Sequence, residues 1–200
     1  TLSYYYLKSD DTPDSGVPYN YDATKKATVG KPVDVKQGIY YGLHDRDFQK
    51  QENQIGTIKL EHDINDNLTI TNTAVYNKST NDYLWTQPDD SKGNVLKDKV
   101  WRRINSRITD TDIFTDQLAL TGKFNTGTIK HKFNVGAEYS DQESNKGSYT
   151  TTYPGYAGTT TGGFNSDCKI NDAWCTSLTN PNSKEEWLGT AVANRNTTTT

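Results

Sequence analysis

The sequence predicts an all-β fold, an antiparallel transmembrane β-barrel segment that crosses a bilayer with strands rather than helices. Three observations carry this expectation: apolar and polar residues alternate with period two, short turns alternate with very long polar segments, and the chain is too polar for a conventional buried core. Hydrophobic residues are 32% of the 200 positions, with 13 Tyr and 4 Trp standing among abundant Ser, Thr, Asn, Asp and Gly, and mean hydropathy is -0.90. That mixture favours strands joined by long polar loops. No run is long and apolar enough for a helical span, and no basic-then-apolar leader is present, so a mature or excised region is expected. The formal net charge of -3 gives no general electrostatic argument for binding nucleic acid.

Taken in chain order, residues 2 to 7 form a first strand whose parity is ambiguous. A second sets Ile58 and Leu60 against Thr57, Lys59 and Glu61, and a third sets Leu68, Ile70, Ala74 and Tyr76 against Thr69, Thr71 and Thr73. The fourth, over 108 to 124, places Ile108, Phe114, Leu118, Leu120 and Phe124 on one parity and Thr109, Thr111, Thr115, Gln117, Thr121 and Lys123 on the other. Asp110, Asp112 and Asp116 interrupt its apolar face, mainly toward one end, as suits a strand that continues past hydrocarbon into water. The fifth is the cleanest, with Ile129, His131, Phe133, Val135, Ala137 and Tyr139 opposite Lys130, Lys132, Asn134, Gly136 and Glu138.

Asp63-Ile-Asn-Asp-Asn67 and Asn125-Thr-Gly-Thr128 read as tight turns between neighbouring strands. On the opposite side, 9 to about 44, about 80 to 100, and 141 to the terminus read as long loops, and Pro88 is expected to limit the strand before it. Short turns at one rim and long loops at the other describe an outer-membrane barrel. About five strands cannot close one, and an open edge in lipid would strand unpaired backbone groups, so the segment is expected to belong to a longer chain or an assembly.

Several stretches in this order resemble the barrel of TonB-dependent outer-membrane siderophore receptors of the catecholate type. They are Tyr5-Tyr-Leu-Lys-Ser-Asp-Asp-Thr-Pro-Asp-Ser-Gly-Val-Pro18, Tyr41-Gly-Leu-His-Asp-Arg-Asp47, Leu60-Glu-His-Asp-Ile-Asn-Asp-Asn-Leu68, Tyr83-Leu-Trp-Thr-Gln-Pro-Asp-Asp-Ser91, Val100-Trp-Arg-Arg103 and Leu120-Thr-Gly-Lys-Phe-Asn-Thr-Gly127. The likeness covers roughly residues 1 to 145. It implies a partial barrel domain over 1 to 200, part of a barrel of about 22 strands whose plug domain and remaining strands lie outside this sequence. It also implies import of a ferric siderophore with energy delivered by TonB through the plug, outer-membrane lipid and lipopolysaccharide as surroundings, and no cofactor beyond the transported chelate.

The sharpest local chemistry is the stretch from Lys97 to Arg107, with five basic residues against one acid. If parity runs unbroken from Phe124, then Trp101, Arg103, Asn105 and Arg107 face the lumen and Arg102 faces outward. Guanidinium groups suit a ferric catecholate, which is a polyanion carrying aromatic rings. The competing readings of this patch are a solvated upper strand, or arginines engaging lipopolysaccharide phosphates or loop carboxylates. Extrapolated parity brings Tyr83 and Trp85 to the same vestibule, where they could equally pack loops together. Tyr4, Tyr5, Tyr6, Tyr76 and Tyr139 fit interfacial aromatic girdles.

Cys168 and Cys175 are expected to form a small loop disulfide, since two thiols without a Cys-x-x-Cys make a poor zinc site. His44, His62 and His131 lack metal-like spacing, and interfacial packing is expected for the latter two. No nucleophile and base or phosphate loop stands out, so no enzyme is expected. The rival to a transporter is a cell-surface adhesin or extracellular β-domain binding protein or glycan; a second is a barrel hydrolase.

Overall fold

The computed structural model describes residues 1–90, 92–152, 168 and 174–196. Nine strands run in order: β1 (Leu2–Asp11), β2 (Tyr19–Asp22), β3 (Ala27–Pro32), β4 (Phe48–Asn65), β5 (Leu68–Asp89), β6 (Lys99–Thr126), β7 (Ile129–Thr152), β8 (Cys175–Ser177) and β9 (Thr190–Asn196). A 3-10 turn at Asn94–Lys97 precedes β6. Seven strands form one antiparallel sheet in the order β1, β4, β5, β6, β7, β9, with β8 on the upper end of β6, while β2 and β3 pair as a separate hairpin.

The two tight turns stand where the sequence places them. Asn65 pairs with Leu68 around Asp66 and Asn67, and Thr126 pairs with Ile129 around Gly127 and Thr128. Gly127 has φ 62, which a two-residue hairpin needs at its first position and which a side chain would disfavour.

The opposite ends differ from expectation. β5 runs to Asp89, β6 starts at Lys99 and β7 reaches Thr152, so the loop expected over 80 to 100 shrinks to 90–98, less than half of that span. Pro88 does not stop β5; it pairs with Arg102, beyond the last β4 partner at Leu84. A strand flanked on one side only can hold a residue that lacks an N–H. The segment from 141 onward, expected as loop, adds the end of β7 together with β8 and β9. Above the hydrocarbon a strand needs no apolar parity, so the periodicity that marks it in the sequence ends while its hydrogen-bond ladder continues.

Apart from a shift between Asp63 and Asn65 beside the first tight turn, continuous registers carry each face across the sheet from β1 to β7. Leu2, Ile58, Ala74, Asp116 and Tyr139 form one row, and Tyr4, Gly56, Tyr76, Phe114 and Asp141 form the next. The same face continues downward through Leu60, Ile70, Leu118, Leu120 and Phe124. Its large side chains are bare, with Leu60 62% and Val135 58% exposed, an arrangement that hydrocarbon stabilises and water does not. From Phe114 to Phe124 the strand covers about 33 Å, which at a tilt of about 40° is about 25 Å of height, the thickness of an outer-membrane apolar band. At the lower rim His131 stacks on Phe124 at 4.7 Å. Tyr4, Tyr76 and Tyr139 mark the upper rim. The aspartates on this face are paired: Asp116 accepts from Asn72 Nδ2 at 2.6 Å, Asp112 from the Tyr76 hydroxyl at 2.6 Å, and Asp110 from Thr80 at 3.0 Å.

Candidate vestibule wall and loop anchor

The other face is mainly polar, with Val75, Ile113 and Ala119 among its polar residues: Thr111 meets Ser144, Thr115 meets Ser140, and Gln117 donates to Glu138 across the β6–β7 ladder. Followed upward, this inner face carries the residues singled out in the sequence. β5 and β6 pair without a register shift from Leu68↔Gly122 to Asp89↔Trp101, so no bulge reverses the parity. Tyr83 therefore lies opposite Arg107, Trp85 opposite Asn105, and Gln87 opposite Arg103. Tyr83 and Trp85 stack with centroids 4.0 Å apart and planes within 10°. Arg103 is 49% exposed and stands 3.9 Å from Asp89, and Arg107 is exposed as well. Four of the five candidates thus form one surface, an aromatic step flanked by two solvent-facing guanidiniums. Trp101 shares their parity but is only 6% exposed, in a buried cluster with Ile104, Cys168, Trp174 and Cys175. Packing occupies that ring.

Arg102, on the outer face, has a different setting. Its side chain is 4% exposed and pairs with Glu185 at 2.7 Å, while Nε donates to the Tyr41 carbonyl at 2.9 Å and Nη2 to the Asn182 carbonyl at 2.6 Å. Burial lowers the pKa of this guanidinium and Glu185 opposes that shift. One side chain thereby pins two loop segments onto the upper outer face. Around it Arg46 donates to Asp47 at 2.7 Å and also to Thr86, and Asp47 accepts the Thr86 N–H at 2.9 Å. Arg46 also lies over the Trp187 ring at 5.6 Å. The Tyr41 hydroxyl donates to the Leu178 carbonyl at 2.7 Å, and burial, with the Asp98 charge adding, pushes its pKa up to about 12. A Cβ on Gly42 would collide with the Tyr40 ring and the Asp47 carboxylate, so a side chain there would have to displace both.

Two further ties close this upper region. Asp98, at a φ of 54, accepts from the Ser177 hydroxyl at 2.8 Å and from the Thr179 N–H at 3.1 Å; the Ser177 bond leads in holding its carboxyl below the usual range. Cys168 and Cys175 form the expected disulfide, seven residues apart, and Cys168 N–H donates to Asn94 at 3.1 Å. The sequence reading did not foresee this anchor. Its signal is faint: Tyr41, Leu43, Trp174 and Trp187 are large apolar residues scattered through polar loops, a pattern that only their convergence explains. Among the described residues no cluster of His, Cys, Asp or Glu is placed to hold a metal ion.

An antiparallel sheet with a bare apolar band, tight turns at one rim and a folded polar crown at the other defines a segment of an outer-membrane β-barrel. The chain belongs to the family of TonB-dependent siderophore receptors. It is 63% identical over 185 residues to PiuA of Acinetobacter baumannii, a probable TonB-dependent siderophore receptor, covering 92% of this chain and 25% of that protein. It is 30% identical over 167 residues to the catecholate siderophore receptor Fiu of Escherichia coli K12, covering 76% of this chain and 22% of Fiu. The crystal structure of PiuA superposes with a TM-score of 0.85 at 59% identity, over 97% of this chain and 27% of that one. The closed form of the ferric-catecholate import receptor Fiu superposes with a TM-score of 0.67 at 25% identity, over 92% and 25% respectively. No family model matches the chain. The chain spans about a quarter of the length of the curated relatives it matches.

Proposed function

We propose that the whole protein imports a ferric siderophore of the catecholate class across the outer membrane with TonB-supplied energy, and that this segment forms part of its vestibule wall. The observation that carries the reading is the stacked Tyr83–Trp85 pair set in register with Arg103 and Arg107 on the polar inner face. A tris-catecholate iron complex presents negative charge and flat rings together, and guanidinium groups beside an aromatic step answer both. The catecholate specificity of the relative Fiu supports the same ligand class. TonB would act through a plug domain elsewhere in the protein, and the chelate is cargo rather than a resident cofactor. Binding and passage need no bond-making step, so no catalytic group is assigned.

The test is tryptophan quenching of the full-length receptor in detergent, titrated with a ferric catecholate and, as control, a ferric hydroxamate. Saturable quenching selective for the catecholate is expected, and Arg103→Ala with Arg107→Ala should weaken it at least tenfold, about 1.4 kcal/mol. Unchanged affinity in the double variant would remove both arginines from the site. No response to any iron chelate would return the reading to a surface domain that binds protein or glycan.

A further inference from the structure

The loops pinned by Arg102 enclose an open cleft of about 450 Å³ that the transport reading does not use. One wall carries Lys36, Gln37, Tyr40 and His44; the other carries Asn180 and Ser183. The walls are tied together, since the His44 N–H donates to the Ser183 carbonyl at 3.0 Å. Tyr40 and His44 stack at 5.1 Å with planes 29° apart, making an aromatic shelf. No carboxylate lines the cleft. The side chains of Lys36, Gln37 and Asn180 make no hydrogen bond or ion pair with the described residues, leaving an ammonium and two amides ready for a solute.

The position of the cleft narrows the class of solute. Arg102 binds the Tyr41 and Asn182 carbonyls from the outer face, the one that meets lipid lower down, so the segments that line the cleft are anchored on the side of β6 opposite Arg103 and Arg107. From Phe114 to Arg102 is twelve strand positions, which puts the anchor about 30 Å above the apolar band. In an outer membrane that level holds the sugars of the surrounding lipopolysaccharide. A pyranose offers C–H groups to an aromatic shelf and hydroxyls to amide side chains, and a phosphate on it offers charge to a lysine. A cleft of this size takes one or two sugar units.

We propose that this cleft binds a phosphorylated saccharide unit of the lipopolysaccharide packed around the barrel. The assignment is independent of which chelate is imported.

Full-length receptor in phospholipid nanodiscs, titrated calorimetrically with deacylated lipopolysaccharide core oligosaccharide, tests it. Lacking acyl chains, the oligosaccharide cannot report on the apolar band. Saturable binding is expected, at least tenfold weaker for Lys36→Ala with Asn180→Ala and for the dephosphorylated oligosaccharide, and retained in Lys36→Arg. Both substituted residues are exposed, and resistance of the unheated barrel to dodecyl sulfate verifies that each variant folds. Absence of saturable binding by the unmodified receptor would overturn the proposal, as would equal binding by the double variant or by the dephosphorylated sugar.

Discussion

Arg102 and Arg103 are adjacent in sequence, yet one is a structural tie and the other is open to solvent. Strand parity decides this: Arg102 points to the face where two loops converge, and Arg103 to the vestibule. The sequence showed only a basic run, and its parity correctly sends the two in opposite directions. What Arg102 meets could not be read, because its partners Tyr41, Asn182 and Glu185 are 61, 80 and 83 residues away. Arg102→Ala should cost about 1.5–3 kcal/mol of local stability, in the range of lost hydrogen bonds to a charged group, since Glu185 is half exposed and can turn to water. Amide hydrogen exchange should show faster opening over 41–47 and 182–187, with the β4–β5 turn unaffected. Trp101 teaches the same lesson in reverse: its parity was legible, but its packing against Cys168, Trp174 and Cys175 was not.

Among the elements, β6 is the most informative because it passes through three surroundings. Its lower part, from Phe114 to Phe124, alternates apart from Asp116 and was legible. Its middle, around Asp110 and Asp112, shows polar residues on the apolar parity because the strand has left hydrocarbon. Its top, from Lys99 to Ile108, buries Val100, Ile104 and Ile108 within the protein, Ile104 in the cluster that includes Trp174 and the disulfide. Burial resumes there for a reason that local periodicity cannot encode, which is why the loops over 80 to 100 and beyond 141 were drawn too long. Leu118 is 47% exposed in the middle of the apolar band. Leu118→Arg should therefore destabilise the folded barrel by about 2–4 kcal/mol in a bilayer, measured by denaturant titration of the full-length receptor in vesicles. Thr121→Arg, on the inner face of the same strand, should cost far less.

For the molecule as a whole, the apolar band, the polar inner wall and the crown above the membrane are joined by continuous strands, so one sheet serves all three. The fold class and the family were legible because alternation, turn chemistry and the order of short motifs all agree on them. The crown was not, since it is stabilised by contacts between segments far apart in sequence. The disulfide belongs to that crown. Closing a seven-residue separation, it should contribute about 2 kcal/mol by restricting the unfolded loop. Replacing Cys168 and Cys175 with alanine should speed hydrogen exchange over 174–178, while the midpoint for unfolding of the membrane-embedded strands stays unchanged.

The wide sequence separations that meet at Arg102 also impose an order of events on folding. Adjacent strands from β4 to β7 can zip together through two tight turns, each closing a short stretch of chain, whereas the Arg102 knot must bring together segments more than sixty residues apart. Closing such loops costs more entropy and is rewarded only when all the partners arrive. The strands therefore form first and the crown last, so an assembly intermediate would already be threaded into the membrane while the end above it was still unformed.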